Sequence, residues 1–170
     1  MGAPIRQMLL VVLMSMCVGA CQRPAAATYV PELGELMLSQ QARHTKLWLA
    51  GEAGNWPLAA YELEELDEGF DAVLIHHPDH DGSPVRPRDA IPRMMRAPLD
   101  ELRDAVKRQD GVAFAARYDA LTTACNNCHQ AMNVGFNRIQ VPDANPFPDQ
   151  VFAVPQPDLA SNAADRPRMR

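Results

Sequence analysis

Three side chains in one short stretch, Cys125-Asn126-Asn127-Cys128-His129, are of types that can hold a metal-containing cofactor. Their spacing is C-x-x-C-H, the attachment signature of c-type haem. Each thiol can add to one haem vinyl group and form a thioether, and the adjacent imidazole can reach the iron as its proximal ligand. Residues three and four positions apart share one face of a helix, so all three groups can point to the same side. The stretch therefore predicts one covalently attached haem c, with His129 as the ligand of its iron.

Other chemistry is open to the same two cysteines. They could form a structural disulfide, act as a thioredoxin-like dithiol, or supply half of a zinc site. A redox dithiol belongs near a βαβ pattern, and the sequence has no run typical of a strand. A zinc site needs a second ligand pair, and there is no second C-x-x-C. Haem attachment is therefore the favoured interpretation.

The first residues indicate export, which this kind of haem attachment requires. Arg6 supplies a positive charge, and residues 8–19 form an apolar run of the length of a signal-peptide core, too short to span a bilayer. We predict a signal peptide over residues 1–20. The sequence V-G-A-C at 18–21 resembles a bacterial lipobox, in which cleavage exposes a cysteine that then carries the lipid, here Cys21. The alternative is ordinary cleavage that leaves Cys21 as a free thiol.

The four cysteines of the chain are then all accounted for. Cys17 leaves with the signal peptide, Cys21 takes the lipid, and Cys125 and Cys128 take the haem, so no unpaired thiol enters an oxidising compartment. No other stretch is apolar enough to span a membrane. We expect an exported lipoprotein anchored on the periplasmic side of a bacterial membrane, or otherwise a soluble periplasmic protein. The net charge of −5 argues against nucleic acid as a partner.

The first helix is predicted to begin at Pro31 and Glu32, because proline and acidic residues suit a first turn. Gly51 and Gly54 are expected to end it. Residues spaced by three and four positions form its buried face: Leu33, Leu36, Met37, Gln40, His44, Leu47 and Trp48.

The second helix is predicted to start at an Asn55 cap, with Pro57 in its first turn, and to end at His77-Pro78. Residues 78–97 are rich in Pro, Gly and Asp and predict a loop that covers a site. Overlapping its start, the H-H-P-D-H-D run at 76–81 could bind a transition metal, although it is more typical of a polar loop.

The third helix is predicted to start at Pro98, and the fourth to be capped by Asp110. The buried stripe of the fourth helix includes Cys125, Cys128 and His129 near its end. The proline-rich tail is expected to be extended, with its last dozen residues disordered and part of it docked on the helices through three apolar residues: Phe147, Val151 and Phe152.

Together these elements predict an all-α fold, an antiparallel up-down-up-down four-helix bundle with a Pro-rich C-terminal tail. The haem domain spans 31–136, preceded by the lipidated cysteine and a flexible linker at 21–30 and followed by the tail at 137–170. In this topology the haem lies near the start of the first helix, beneath the 78–97 loop.

Candidate distal ligands of the iron lie on the inner face of the first helix. Met37 is nearer in level to His129, and His44 lies about 10 Å further along the helix axis. Met37 could equally be a core filler, and His44 a buried imidazole bonded to a neighbour. A vacant distal position is a further alternative, as are three residues of or beside the loop: His77, Met94 and Met95.

With the haem motif on the last of four helices, residues 31–132 resemble a class II cytochrome c, the cytochrome c′ and cytochrome c-556 type of bundle. Class I cytochromes carry the motif near the N-terminus. The resemblance implies covalent haem, His129 as proximal ligand, and a distal position facing the first helix. That position is a methionine in the c-556 type, which Met37 could supply, and is vacant in the c′ type. The 78–97 loop, the long tail and the lipid anchor are not features of the simple members.

The function expected from these features is that of a membrane-anchored monohaem electron carrier. A gas-binding or sensing protein with an open iron site is the first alternative, and a haem-free structural lipoprotein is the second. No acid–base pair is placed beside the haem by the sequence, so we do not expect an enzyme. The sequence leaves open the redox partner protein and whether the chain forms a homodimer.

Overall fold

The computed structural model describes residues 29–154, and a division between two units of the chain falls between Val30 and Pro31. All the regular secondary structure in the described part is α-helix, as predicted. Its helices are α1 Leu33–Glu52, α2 Trp56–His76, α3 Pro87–Met94, α4 Arg96–Arg108 and α5 Gly111–Ala131. The predicted signal peptide, the Cys21 lipobox and the end of the tail lie outside the described residues.

The turn between α1 and α2 follows from two adjacent residues. Gly54 adopts a left-handed conformation with φ +67°, and the N–H of Asn55 donates to the Ala50 carbonyl at 2.8 Å, which ends α1 in a Schellman motif. The Asn55 side chain then caps α2 by accepting from the Leu58 N–H at 3.3 Å. The predictions for Gly54 and Asn55 are confirmed.

Gly51 has a different role from the one predicted, because it lies inside α1 and does not end it. A β-carbon at this position would lie 2.1 Å from the ring of Phe114 on α5. The glycine is therefore required for the close approach of α1 and α5. Sequence pattern alone cannot separate a packing glycine from a terminating one.

The prediction that residues 78–97 form a continuous loop is wrong in its second half. Pro87 opens α3, and α4 begins at Arg96, before Pro98. Proline is tolerated in the first turn of a helix, where its missing N–H would have no partner in any case. Ala90 and Ile91 of α3 are buried, so tertiary packing stabilises this short helix despite the internal Pro92.

The hydrophobic core follows the predicted stripes. α1 packs along α2, and α4 packs along α5. Four aromatic rings fill the part of the core nearest the α1–α2 turn, with centroids separated by 4.9–6.0 Å along the series Tyr118, Trp48, Phe114 and Trp56. This end of the core is densely filled.

Part of the predicted tail packs on the helices without helix or strand between residues 137 and 154. Phe152 is buried, and its carbonyl accepts from Asn55 Nδ2 at 3.1 Å. Phe147 is partly buried beside it, with the Lys46 ammonium 5.0 Å from the ring centroid. Docking through Phe147 and Phe152 is confirmed, but Val151 is 79% exposed and does not take part.

None of the helices described is both long enough and apolar enough to cross a membrane.

Replacing Gly51 by alanine should destabilise the fold, because the added methyl group would overlap the buried Phe114 ring. We expect the free energy of unfolding to fall by about 1–3 kcal/mol, the usual range for overpacking a core. Gly34→Ala is the matched control on the same helix, since a β-carbon there meets nothing within 4 Å. Urea unfolding of both variants checks this, and equal stability of the two would contradict the close packing of α1 on α5.

Candidate functional site

The motif residues are positioned by α5. Asp110 caps this helix by accepting from the Ala113 N–H at 3.0 Å, as predicted. From there the buried positions of α5 recur at helical spacing and reach the motif: Phe114, Tyr118, Leu121, Thr122 and Cys128. The buried stripe therefore delivers the C-x-x-C-H sequence to the interior at the C-terminal end of the helix.

Both cysteines and His129 line one cavity of about 480 Å³. Met37 and His44 of α1 line the same cavity, so the structure brings all five predicted cofactor residues together. The other walls are mostly apolar and come from α2, from the 78–97 segment and from the chain after α5: Leu66, Phe70, Val73, His80, Pro87, Ile91, Met95, Met132, Val134, Phe136 and Ile139, among others. Four residues of the 78–97 segment line this cavity: His80, Pro87, Ile91 and Met95.

His129 is held in one tautomer by the backbone. Its Nδ1 lies 2.6 Å from the carbonyl oxygen of Asn137, and since a carbonyl can only accept, Nδ1 must carry the proton and donate it. In the neutral ring Nε2 is then the unprotonated nitrogen. Metal-binding histidines are commonly held in this way, with the second ring nitrogen donating to a carbonyl. No pattern in the sequence indicates this partner.

The chain that supplies this carbonyl is folded back by the end of α5. Asn133 adopts a left-handed conformation with φ +64°, and the N–H of Val134 donates to the His129 carbonyl at 2.9 Å. These are features of a Schellman motif with asparagine in the place of glycine. Residues 134–139, here called the return segment, then run back beside the motif and contribute to the wall of the cavity.

The two thiols are free and protonated. Neither Cys125 nor Cys128 is in a disulfide. Burial raises the pKa of Cys125 to about 12, with a further contribution from Cys128, and burial also raises the pKa of Cys128. A redox-active dithiol needs a lowered pKa, so this environment disfavours that use of the pair.

Several side chains of the cavity wall carry a sulfur or nitrogen atom able to bind iron. Met37 is partly buried on α1, and Met95 is buried between α3 and α4. His80 lies at the exposed edge of the cavity. Met132 lies next to the motif, with its sulfur 3.8 Å from that of Cys128. Of the loop candidates, Met95 lines the cavity, whereas Met94 and His77 do not.

His44 is engaged by two neighbours on α5. Its Nε2 lies 2.9 Å from the Thr122 hydroxyl, and its Nδ1 lies 2.8 Å from the Tyr118 hydroxyl, which also donates to the His44 carbonyl at 2.7 Å. Iron coordination by His44 would break one of these contacts. The geometry therefore favours the interpretation of His44 as a buried imidazole bonded to its neighbours.

The His44 ring is neutral near pH 7, because burial lowers its pKa to about 4. A neutral imidazole donates from one nitrogen only. In the geometry found, Tyr118 donates to the His44 carbonyl and Thr122 donates to the Tyr118 carbonyl at 2.9 Å. One of these hydroxyls must therefore turn its proton toward the ring to satisfy the second nitrogen.

Gln40 is the one residue in the described range with a buried side-chain oxygen that lacks a hydrogen-bond partner. Its Nε2 donates to the Leu66 carbonyl at 2.8 Å, and its Oε1 packs against Gly69, where a β-carbon would lie 2.2 Å from that oxygen. The amide lines the cavity and places a polar group among mostly apolar neighbours.

The histidines at 76–80 do not assemble a metal site. Among residues 29–154, no group of three or more His, Cys, Asp or Glu side chains is placed to hold a metal ion. His77 Nε2 donates to the Pro31 carbonyl at 2.7 Å and so links the end of α2 to the residues before α1. The role of His77 in the described structure is therefore to join two helix ends.

The cavity fits the group that the motif implies. Its volume falls within the range of about 300–1,000 Å³ usual for cofactor and ligand sites, and its walls are mostly apolar, as a porphyrin requires. Two free thiols and a histidine with an unprotonated Nε2 lie on the same wall, on one face of one helix. These are the donor groups that haem c uses for attachment and proximal ligation.

No family model, curated protein or solved structure matches this chain.

The stability of the protein should depend on pH through His44. Its pKa is about 4 when folded and about 6.5 when exposed, so below pH 6.5 the unfolded ring binds a proton that the folded ring excludes. The free energy of unfolding should therefore be highest above pH 6.5 and fall by up to about 3 kcal/mol as the pH drops toward 4.

Urea unfolding between pH 7.5 and 4.5 measures this dependence. His44→Gln should flatten it, whereas His76→Gln, at an exposed position, should leave it as in the wild type. The same pH dependence in His44→Gln and wild type would show that His44 is not the group responsible.

Proposed function

We propose that this protein is a monohaem c-type cytochrome that carries electrons. One observation carries the proposal: Cys125, Cys128 and His129 line a single apolar cavity, with Met37 on another wall of it. The haem, when bound, supplies an iron that cycles between the ferric and ferrous states. Cys125 and Cys128 would hold this group through thioether bonds, each formed by addition of the thiol S–H across one vinyl double bond.

The chain's own residues divide the remaining tasks. His129 presents Nε2 to the iron, while its Nδ1–H is held by the Asn137 carbonyl. The apolar walls would exclude water from the cofactor. This favours transfer of an electron over reactions that make or break bonds at the iron. Met37 is the preferred distal ligand, because it is a partly buried thioether in the cavity, whereas both ring nitrogens of His44 have hydrogen-bond partners.

We also propose that the long helices run up-down-up-down. Helices joined by two- or three-residue turns, as at 53–55 and 109–110, reverse direction. Two contacts between α1 and α5 also support an antiparallel pair. His44 contacts Thr122, whereas Gly51, later in α1, lies beside Phe114, which is earlier in α5. The His77 contact with Pro31 supports the same arrangement for α2 and α1.

Export and membrane anchoring remain part of the proposal on the strength of the sequence alone. The apolar run at 8–19 and the lipobox-like sequence that ends in Cys21 support them. A lipid there would place the haem domain at a membrane surface, attached through the short linker at 21–30.

Absorption spectra of the purified protein, oxidised and reduced, with and without CO, test the proposed function. A covalent c-type spectrum that does not respond to CO is expected, because Met37 would occupy the sixth position of the iron. Met37→Ala should then make the reduced protein bind CO, whereas Met94→Ala, a methionine that does not line the cavity, should not. A wild-type protein that binds CO readily would favour the gas-binding alternative.

Replacement of both Cys125 and Cys128 by alanine should abolish covalent haem in a host that matures c-type cytochromes. Denaturing gel electrophoresis with haem staining measures this, since only covalent haem stays with the chain. A colourless wild-type protein would instead support the haem-free alternative, and a double variant that keeps covalent haem would refute attachment at these residues.

A further inference from the structure

We propose that Asn126, one of the two unspecified residues of the C-x-x-C-H motif, is a positioning residue that sets the strength of the iron–His129 bond. It acts through the return segment, residues 134–139, which carries the hydrogen-bond acceptor for His129. This inference rests on the proposed function, because it concerns the electronic effect of His129 on a bound iron.

Asn126 holds the return segment by two hydrogen bonds to one residue. Its Nδ2 donates to the Ile139 carbonyl at 2.8 Å, and its Oδ1 accepts from the Ile139 N–H at 2.8 Å. The side-chain amide thus pairs with the backbone of Ile139 as a neighbouring strand would. Both atoms of the amide are used, so its orientation is determined by the contact.

The beginning of the return segment is held independently. The left-handed Asn133 and the bond from Val134 N–H to the His129 carbonyl turn the chain at the end of α5. A further bond, from the Asn137 N–H to the Val134 carbonyl at 2.9 Å, tightens the next turn. Asn137 therefore lies between a helix-capping turn on one side and the two Asn126–Ile139 hydrogen bonds on the other. These two bonds are here called the Asn126 bracket.

Because the return segment is held at both ends, the Asn137 carbonyl between them has little freedom to move. The Asn137 carbonyl oxygen lies 2.6 Å from His129 Nδ1, a short contact for N–H···O. Asn126 and His129 are three residues apart on α5 and so lie on neighbouring positions of one face. Without the bracket, the return segment would be held only at its beginning, and the carbonyl could move away from the ring.

The position of this carbonyl affects the iron through the imidazole. A hydrogen bond that pulls on the Nδ1 proton makes Nε2 a stronger electron donor. A stronger donor stabilises the ferric state relative to the ferrous state and lowers the reduction potential. Loosening the bracket should therefore raise the potential.

The experiment is a redox titration of the haem-loaded protein with Asn126 replaced by alanine. We expect the ratio of reduced to oxidised protein at a fixed ambient potential to rise about tenfold, the lower range for loss of an outer-shell partner. For a one-electron couple this corresponds to an upward shift of about 59 mV. Asn126→Leu, which removes both hydrogen bonds but keeps a similar side-chain volume, should shift the potential in the same direction.

Asn127→Ala is the matched control. Asn127 is the same residue type in the same motif, but its side chain is exposed. Its replacement should leave the potential unchanged. Because both motif asparagines lie between the two cysteines, a general disturbance of haem attachment would affect both variants.

A second measurement separates positioning from simple loss of stability. Proton exchange at His129 Nδ1, followed by NMR in the reduced protein, should be faster in Asn126→Ala and unchanged in Asn127→Ala. A variant that is less stable but has the wild-type potential and exchange rate would overturn the inference, since Asn126 would then have only a structural role.

The outcomes also distinguish this inference from the proposed function. Covalent haem with an unchanged potential in both Asn126 variants would overturn the inference alone. A wild-type protein without haem would overturn both, because His129 would have no iron to bind.

Discussion

The close packing of α5 against α1 is the constraint on which the rest of the structure depends. At one level it requires the absence of a side chain at Gly51, because the Phe114 ring occupies that space. At the next it is made specific by the buried contacts of His44 with Tyr118 and Thr122. Hydrophobic burial alone would tolerate a shift of one helix along the other. The His44 ring prevents such a shift, because it forms hydrogen bonds with the hydroxyls of both Tyr118 and Thr122. This registration places the end of α5 opposite the beginning of α1 and so determines which residues can share a cavity.

The two ends of the core are filled differently, and this difference creates the site. Four aromatic rings occupy the end near the α1–α2 turn. The other end is lined largely by aliphatic and methionine side chains, which leave a cavity of about 480 Å³. Apolar walls left in contact with water lose the free energy that burial would provide. A flat apolar cofactor would restore that burial. Under the proposed function, the haem would therefore contribute to the folded state as well as to the chemistry, and its thioether bonds would keep it in this cavity.

Much of this could be predicted from the sequence, and the parts that could not have a common cause. The buried stripes, the caps at Asn55 and Asp110 and the convergence of the motif with Met37 follow from local patterns and spacing. The short helix α3 was missed because Pro92 argues against a helix, and only the burial of Ala90 and Ile91 offsets that cost. Three further features could not be predicted: the packing role of Gly51, the Asn126 bracket and the carbonyl on His129. They depend on contacts between residues that are distant in the sequence or separated by an irregular turn. No periodicity in the sequence reports such contacts.

The two sides of the proposed haem site differ in rigidity, and this difference bears on how its properties can be tuned. On the His129 side every element is fixed by hydrogen bonds. Backbone bonds hold the helix and its Schellman turn, and the side chain of Asn126 also holds the return segment. On the opposite side the candidate ligands include Met37 and Met95, whose unbranched thioether side chains adapt to irregular space. Changes in sequence on the methionine side can therefore alter or vacate the sixth position without disturbing attachment. Changes on the histidine side act through the electron donation of a ligand that stays bound. Under the proposed function, this fold could vary the occupancy of the sixth position of the iron and the reduction potential by separate routes. The distal residue, and not the motif, would then distinguish an electron carrier from a gas-binding protein.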